Sequence, residues 1–363
     1  MLRVLMVTPR FFPHAGGVQT HVREVGERLI DAGLRVEVLT TDVTGELPPH
    51  ANIGSLPVTR VPAWPRNRDY YFAPQIRQTI QPGKWDVIHC QGVHTFVAPL
   101  AMVAARRARI PYVVTFHTGG HSTTIRARAR TAQWTLLRPL LSRACRLIAV
   151  SGYEADLFRR IVHPRQSQLV TIPNGVSPMD PAGGATGPTE PDLIVSLGRL
   201  ERYKGHHRLV EAMPQILRSR PSARALLVGK GPYEAALRSR IADLGLQARV
   251  DIRSVPPEDR SGMARLLSRA GLVVLLSDYE AHPVAVLEAA SLGRPILVRR
   301  TSGLAELIDA GTARGVEADA STETIAHAVL QALSDPAPIA APQLPTWDEA
   351  AARLLDVYRG CVR

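Results

Sequence analysis

RVLMVTPRFFPHAGGVQTHVREVGERLIDAGLRVEVLT, residues 3–40, decides how the rest of the chain is read. Its first run, near 3 to 8, is apolar without the alternation of a half-exposed strand, so both faces are to be covered, as in a parallel sheet. Val18, Val22, Val25 and Leu29 then recur at helical spacing, and Gly33 closes that helix where a positive φ is needed. A second apolar run follows near 35 to 40. Strand, amphipathic helix and strand make one βαβ unit, whose crossover sets its two strands parallel.

Working outward, short runs rich in Val, Ile and Leu recur near 86 to 90, 112 to 116, 147 to 150 and 169 to 172, separated by helix-period segments. Residues 178–191 then read PMDPAGGATGPTEP, with no periodicity and too little apolar content to pack, so they are expected to link two domains. A second alternation has strands near 193 to 197, 224 to 228, 249 to 253, 272 to 276 and 295 to 298. The expected fold class is α/β, two tandem Rossmann-like doubly wound domains covering 1–177 and 192–346. Ligands of such sheets bind outside the carboxyl ends of the strands, which makes the cleft between domains the expected site. After a Pro-rich approach at 337–345, Trp347 to Tyr358 places Ala351, Leu354, Leu355 and Tyr358 on one helical face that must dock.

The whole chain supports this division. Its 363 residues suffice for two cores, and 45% apolar with 21% charged residues is the composition of a folded protein rather than a disordered one. Lys plus Arg exceed Asp plus Glu by 44 to 32, a net +12 that favours anionic partners without choosing among phosphate, nucleic acid and acidic lipid. Cys90, Cys145 and Cys361 are odd in number and widely spaced, which argues against a disulfide framework or a zinc site and for a reducing, cytoplasmic setting. Met1 to Val7 lacks a cleavage site and reads as a buried strand, and no apolar run approaches the ~18 residues of a spanning helix.

The sharpest chemistry lies in SDYEAHPVAVLEAASLG, residues 277–293, which joins an apolar strand to a helix. Pro283 suits the first helical turn, and a helix N-terminus offers backbone donors and a positive dipole end to an anion such as phosphate. Glu280 on the loop and Glu288, some 7 to 8 Å into the helix, bracket that position, and each can accept from a hydroxyl. Spacing alone fits a surface helix with two solvated glutamates equally well. A second element breaks the tie: SLGRLERYKG, residues 196–205, follows the first strand of the second half, and its Arg199 and Lys204 can meet a diphosphate as a fork and a point charge.

These residues resemble the retaining, nucleotide-sugar-dependent transferases of the GT-B fold, specifically glycosyltransferase family 4. The resemblance covers nearly the whole chain. It is carried by Glu280, seven residues and Glu288, by Gly198-Arg199 with Lys204-Gly205, and by Gly16-Gly17-Val18, Thr115-Phe116-His117, Ile172-Pro173-Asn174-Gly175-Val176 and Gly229-Lys230-Gly231-Pro232. Thr346-Trp347-Asp348 is similar to the start of a helix that crosses back to the first domain, so 347–363 is assigned there. The resemblance implies that Arg199 and Lys204 neutralise the donor diphosphate and the growing leaving-group charge. It further implies that Glu288 holds the ribose, Glu280 the transferred sugar, and that His117 stands near the reacting centre. Gly16 and Gly17 would admit the donor to the backbone, and His282, Val284 and Ala285 complete the donor-contacting positions. Retention without an evident protein nucleophile implies a same-face displacement. Where the family commonly has Gly-Phe-Gly this chain has Ala281-His282-Pro283, and Pro283 has no N–H to give.

The function expected is transfer of a sugar from a nucleoside diphosphate sugar, UDP or GDP, to a hydroxyl of a saccharide or lipid-linked acceptor in envelope or exopolysaccharide synthesis. The alternative is a secondary-metabolite acceptor. The resemblance implies that the first domain is the acceptor side; its loops at 62–75 and 118–131 carry Trp64, Tyr70, Tyr71 and several Arg without a decodable pattern. No cofactor and no metal are expected: Asp-x-Asp is missing, and His206-His207 has no partners at metal spacing. Ser151 to Glu154 reads as a helix-capping box rather than a nucleophile site. The basic segment 126–143 is a candidate for an anionic membrane surface, with Pro139 expected to break any long helix there, and a packed helix with a solvated Arg face is the other reading. A nucleic-acid binder would require stacking aromatics, which are only 5% here. A non-catalytic sugar-nucleotide sensor is set against the intact glutamate pair.

Overall fold

Val4, Leu5, Met6 and Val7 are all fully buried, as an apolar run covered on both faces must be. The computed structural model describes residues 1–14, 16–66, 71–118, 124–177, 179, 188–257, 259–336 and 343–362, with side chains from 132 onward in the helix that starts at Thr124. Two units result. One runs to Gly175 and takes back the segment from Pro345; the other is Val176–Leu344.

The first unit contains β1 (Arg3–Val7), α1 (Gly17–Asp31), β2 (Arg35–Asp42), β3 (His50–Ile53), β4 (Leu56–Pro62), α2 (Ile76–Thr79), β5 (Val87–Gln91), α3 (Val97–Arg107), β6 (Tyr112–Thr115), α4 (Thr124–Leu141), β7 (Arg146–Ala149), α5 (Gly152–Val162) and β8 (Leu169–Thr171). The second contains β9 (Glu190–Leu197), α6 (His206–Ser219), β10 (Arg224–Val228), α7 (Glu234–Asp243), β11 (Val250–Arg253), α8 (Arg260–Arg269), β12 (Ala270–Leu275), α9 (Val284–Ser291), β13 (Ile296–Arg299), α10 (Ser302–Asp309), β14 (Arg314–Val316) and α11 (Thr322–Ser334). The last helix, α12 (Trp347–Val362), belongs to the first unit.

The first sheet has order β3-β4-β2-β1-β5-β6-β7-β8 and the second β11-β10-β9-β12-β13-β14. Pairing is parallel throughout except for β3 with β4. Register follows the opening unit, with Val4 opposite Val36 on one side and Val87 on the other. The βαβ reading of residues 3–40 therefore holds, and Gly33 has the positive φ of 84° that closes α1. β3, β4 and β14 lie outside the expected strands: β4 begins and ends among prolines, and β3 has only four residues at the sheet edge.

Three local expectations are corrected. β9 begins at Glu190, so the last two residues of the stretch read as linker lie in a strand, with Glu190 opposite Ala270; 178 and 180–187 lie outside the described residues. α4 runs through Pro139 to Leu141. A proline so close to a helix end removes one backbone bond of the last turn without displacing a following turn. Cys145 and Cys361 form a disulfide although 216 residues apart, because α12 returns to the strand that Cys145 precedes. Local spacing of cysteines cannot show a pairing made by the return of a distant segment. The cysteine argument for a reducing setting falls with it, and Cys90 is the buried free thiol.

The returning helix is bound mainly by apolar burial. Trp347, Leu354 and Tyr358 are at most 1% exposed, while Leu355, expected on the same face, is only half-buried. A Cβ at Gly175 would stand 2.2 Å from the Trp347 backbone nitrogen, so only glycine lets the chain pass there. The exposed Arg28–Asp348 pair at 2.6 Å contributes little beside this. Residues 337–342 of the Pro-rich approach lie outside the described residues.

Trp347→Ala should destabilise the first unit by about 3–5 kcal/mol, the usual cost of truncating a buried aromatic. Urea unfolding followed by far-UV circular dichroism reads this directly. A midpoint equal to wild type would show that α12 is held by something other than its buried face.

Candidate active site

In a doubly wound sheet the loops after the strands collect at one edge, and in the second unit the exits of β9, β12 and β13 are neighbours there. Leu276 closes β12's apolar run, and Gly205 lies against it: with φ 75°, its Cβ would fall 1.9 Å from the Leu276 carbonyl oxygen. This contact seats Lys204 beside the loop that follows β12.

Lys204 Nζ donates to Glu280 Oε1 at 2.6 Å, in a pair whose side chains are 16% and 11% exposed. Ser277 Oγ donates to the same oxygen at 2.8 Å. The Glu280 backbone N–H donates to Ser302 Oγ at 2.7 Å, and its carbonyl accepts from Gly303 at 3.0 Å. Glu280 is thus held at both its main chain and its carboxylate, by groups from three strand exits. Below it, Tyr203 and Tyr279 stack with centroids 4.5 Å apart, and Asp278 accepts from Arg208 and Arg299 at 2.6 Å each.

α9 starts at Val284, with Pro283 at the cap, one position earlier than a first-turn proline. Val284 is buried, and Ala285 and His282 are half-buried. Desolvation pushes the His282 imidazole down to about 4, so it is neutral at physiological pH. One turn along α9, Glu288 Oε1 accepts from Arg260 Nη1 at 2.5 Å. Arg199 pairs with Glu201 at 2.7 Å and is half exposed.

Read from separate motifs, Lys204 and Glu280 thus share one ion pair. Arg260 and Ser302 escaped the sequence reading. Arg260 comes from α8, 28 residues before its partner, and carries no local signal; Ser302 opens α10 with a φ of 41°. Among the described residues, no group of three or more His, Cys, Asp or Glu could hold a metal ion.

The first unit gathers the remaining candidates. Gly16 caps α1 and Gly17 is its first residue; a Cβ at Gly17 would meet nothing within 4 Å, so packing does not require glycine there. The loop before them is clamped at its carbonyls, Pro9 accepting from Thr41 (2.6 Å) and Tyr71 (2.8 Å), and Phe12 from Arg60 (2.9 Å). Tyr71, expected on the acceptor side, is therefore a buried loop clamp, whereas Trp64 is 74% exposed and Tyr70 lies outside the described residues.

His117 follows β6 with a φ of 55°. Its Nε2 lies 2.7 Å from Gln91 Oε1, and its ring meets that of His21 edge-on at 4.7 Å. His21 Nδ1 is 2.9 Å from Asn174 Oδ1. Ser151 caps α5 by accepting from Glu154 N–H at 3.2 Å, as a capping residue should. The Glu154 carboxylate also accepts from Val150 N–H at 2.7 Å and from Thr118 N–H, next to His117. In the segment 126–143, Arg138 and Arg143 donate to the carbonyls of Ile161 and Pro139, while Leu136 is 80% exposed. Side chains 126–131 lie outside the described residues, and no described helix is long and apolar enough to cross a membrane.

Residues 15–179 match the family described as Glycosyltransferase Family 4, and residues 185–352 match Glycosyl transferases group 1. The chain is 30% identical to the GDP-mannose:cellobiosyl-diphosphopolyprenol alpha-mannosyltransferase of Xanthomonas campestris, covering 82% of this chain and 78% of that one. It is 28% identical to a D-inositol 3-phosphate glycosyltransferase of Nocardiopsis dassonvillei, covering 96% and 90%. The HepE structure from Anabaena in complex with UDP-glucose superposes with a TM-score of 0.73 at 20% identity, covering 99% of this chain and 98% of that one. This likeness shows the fold: the tandem doubly wound units are those of GT-B.

Burial holds His21 at about 4 and His89 at about 3, and it pushes His117 well below the ordinary imidazole value. Unfolded, each titrates near 6.5. Between pH 6.5 and 4 the unfolded chain therefore binds protons that the folded unit refuses, and stability falls as pH drops through that window. The slope should approach about 1.4 kcal/mol per pH unit for each such ring. Urea midpoints at pH 7 and pH 5 measure it; equal midpoints would mean that these imidazoles are protonated in the folded protein.

Proposed function

The chain belongs to glycosyltransferase family 4, and from that premise we propose that it transfers a sugar, with retention, from a UDP- or GDP-sugar to a hydroxyl of a saccharide or lipid-linked acceptor in envelope or exopolysaccharide synthesis. The observation that carries this reading is the Lys204–Glu280–Ser277 cluster, poised where α9 begins. Lys204 has three N–H donors and gives one to Glu280, so two can meet phosphate oxygens. Glu280 Oε1 already serves Lys204 and Ser277, which leaves Oε2 for a hydroxyl of the transferred sugar. Glu288, steadied by Arg260, takes the ribose hydroxyls one turn into α9.

In the reaction the bond between the anomeric carbon and the phosphate oxygen breaks while the acceptor oxygen bonds to that carbon from the same face. The acceptor's proton passes to the departing phosphate. Negative charge grows on the diphosphate, and cations fixed in advance stabilise it without reorganising. Arg199, Lys204 and the positive end of α9 supply that charge, so catalysis proceeds without a metal. Val284 and Ala285 offer the backbone of that helix end, and His282 replaces with a neutral imidazole part of what Pro283 cannot donate.

From the first unit, Gly16 and Gly17 admit the donor to bare backbone. The space around Gly17 supports this, since nothing in the protein itself requires a missing side chain there. His117, neutral at working pH, acts on the transferred sugar as a hydrogen-bonding group. The relatives named for polyprenol-linked and inositol-phosphate substrates support an acceptor that carries its own phosphate. Exposed Leu136 supports peripheral contact of 126–143 with a membrane surface.

A thermal-shift panel of UDP-, GDP-, ADP- and TDP-sugars tests the reading, because a ligand at 100 times its Kd stabilises by about 2.7 kcal/mol. Stabilisation by UDP or GDP sugars is expected; no shift with any of them would overturn it. With the active donor, Lys204→Ala or Arg199→Ala should cost roughly 10²-fold in turnover. Glu288→Gln should weaken binding of the bare nucleoside diphosphate, whereas Glu280→Gln should spare it and slow transfer. Activity should persist in EDTA, and loss reversed by magnesium would refute the metal-free assignment.

A further inference from the structure

Gln91, the last residue of β5, is fully buried between two imidazoles. Its Oε1 is 2.7 Å from His117 Nε2, and its Nε2 lies 3.2 and 3.3 Å from the two ring nitrogens of His89. His89 is held in turn by Thr115 Oγ1 at 2.7 Å and by the Tyr358 hydroxyl at 2.6 Å. A polar row thus runs from α12 through β5 to the exit of β6.

The ends of a carboxamide are not equivalent: the nitrogen only donates and the oxygen only accepts. With its nitrogen turned to His89, Gln91 presents oxygen to His117, and an oxygen requires the His117 proton on Nε2. Nδ1 is then the nitrogen that carries the lone pair. The main chain restricts the ring as well, since φ is 55° at His117 and Thr118 N–H is tied to the buried Glu154 carboxylate. Protonating both nitrogens would take away the acceptor that Gln91 is placed to complete; the depressed imidazole value agrees with a neutral ring.

We propose that Gln91 is a positioning residue that fixes the ring orientation and tautomer of His117, so that Nδ1 accepts a hydrogen bond from a hydroxyl of the transferred sugar. The catalytic half of this inference rests on the role given to His117 above; the tautomer half does not. A ring free to choose its tautomer would offer a donor part of the time, and misplacement of a contact by about 1 Å can cost roughly 10²-fold in rate.

Long-range ¹H–¹⁵N correlation of histidine rings in the intact protein at pH 7.5 reads the tautomer directly, with His117 identified by the signal lost in His117→Asn. Wild type should show the proton on Nε2. Gln91→Leu should shift His117 toward a mixture of tautomers, and Gln91→Glu should keep the Nε2 proton while raising the ring's titration toward neutral pH. A wild-type Nδ1–H tautomer, or a His117 signal unchanged in Gln91→Leu, overturns the proposal, and the wild-type spectrum decides even if that variant fails to fold. With UDP-glucose or GDP-mannose as the donor, Gln91→Leu should lose roughly 10²-fold in kcat with donor KM little changed. Wild-type turnover by His117→Ala would instead overturn the role of His117, and with it the catalytic half alone.

Discussion

Parallel pairing is the constraint on which both units depend. A parallel neighbour cannot be reached by a tight turn, so each connection between parallel strands must cross a sheet face, and all strands but β3 exit at the same edge. In the second unit this brings Lys204, Glu280 and Ser302 together from three exits that adjoin only because the strand order is β9-β12-β13. Apolar burial on both faces stabilises the arrangement: Ile194, Leu272 and Leu297 belong to one core and Val195, Val273 and Val298 to another, so successive side chains supply opposite faces. The site's geometry follows from the sheet's.

At that edge, charge is arranged at some cost. Lys204 and Glu280 are mostly shielded from water, and desolvating an ion pair costs free energy that attraction alone does not reliably offset. Ser277 supplies a further hydrogen bond to the carboxylate, Ser302 holds the Glu280 main chain, and Arg260 pairs with Glu288. Each glutamate is therefore oriented before any ligand arrives. On the proposed function, an incoming diphosphate would meet a cation whose position is already fixed, the reorganisation that solvent would require having been made during folding.

The fold was legible because its signal is periodic: unbroken apolar runs alternate with helical spacing, and the pattern of residues 3–40 recurs down both halves. What escaped lacked that signal. β3 is short and at an edge, β4 is bounded by prolines, and the strand at Glu190 starts inside a stretch whose composition reads as linker. In the site, Glu280, Glu288, Arg199 and Lys204 stand out by residue type at the ends of predicted strands, but their partners do not. Arg260 is one arginine among many, and Gln91 and Tyr358 look like interior residues of a strand and a helix until the sheet and α12 bring them to His89. Tertiary pairing is where local reading stops, and the Cys145–Cys361 bond is the plainest instance.

That bond closes the chain into a ring that runs from Cys145 to Cys361. Every residue of Val176–Leu344 lies inside the circle closed between Cys145 and Cys361, so the second unit is in covalent terms an insertion, tethered at both ends to the first. A protease that cut anywhere within the circle would leave one molecule, and the fragments would separate only after reduction. Closing so long a circle removes conformational freedom from the unfolded chain worth on the order of 5 kcal/mol in the chain-entropy account. The two stretches that make up the first unit, divided along the sequence, are thereby joined by a covalent link that does not pass through the second.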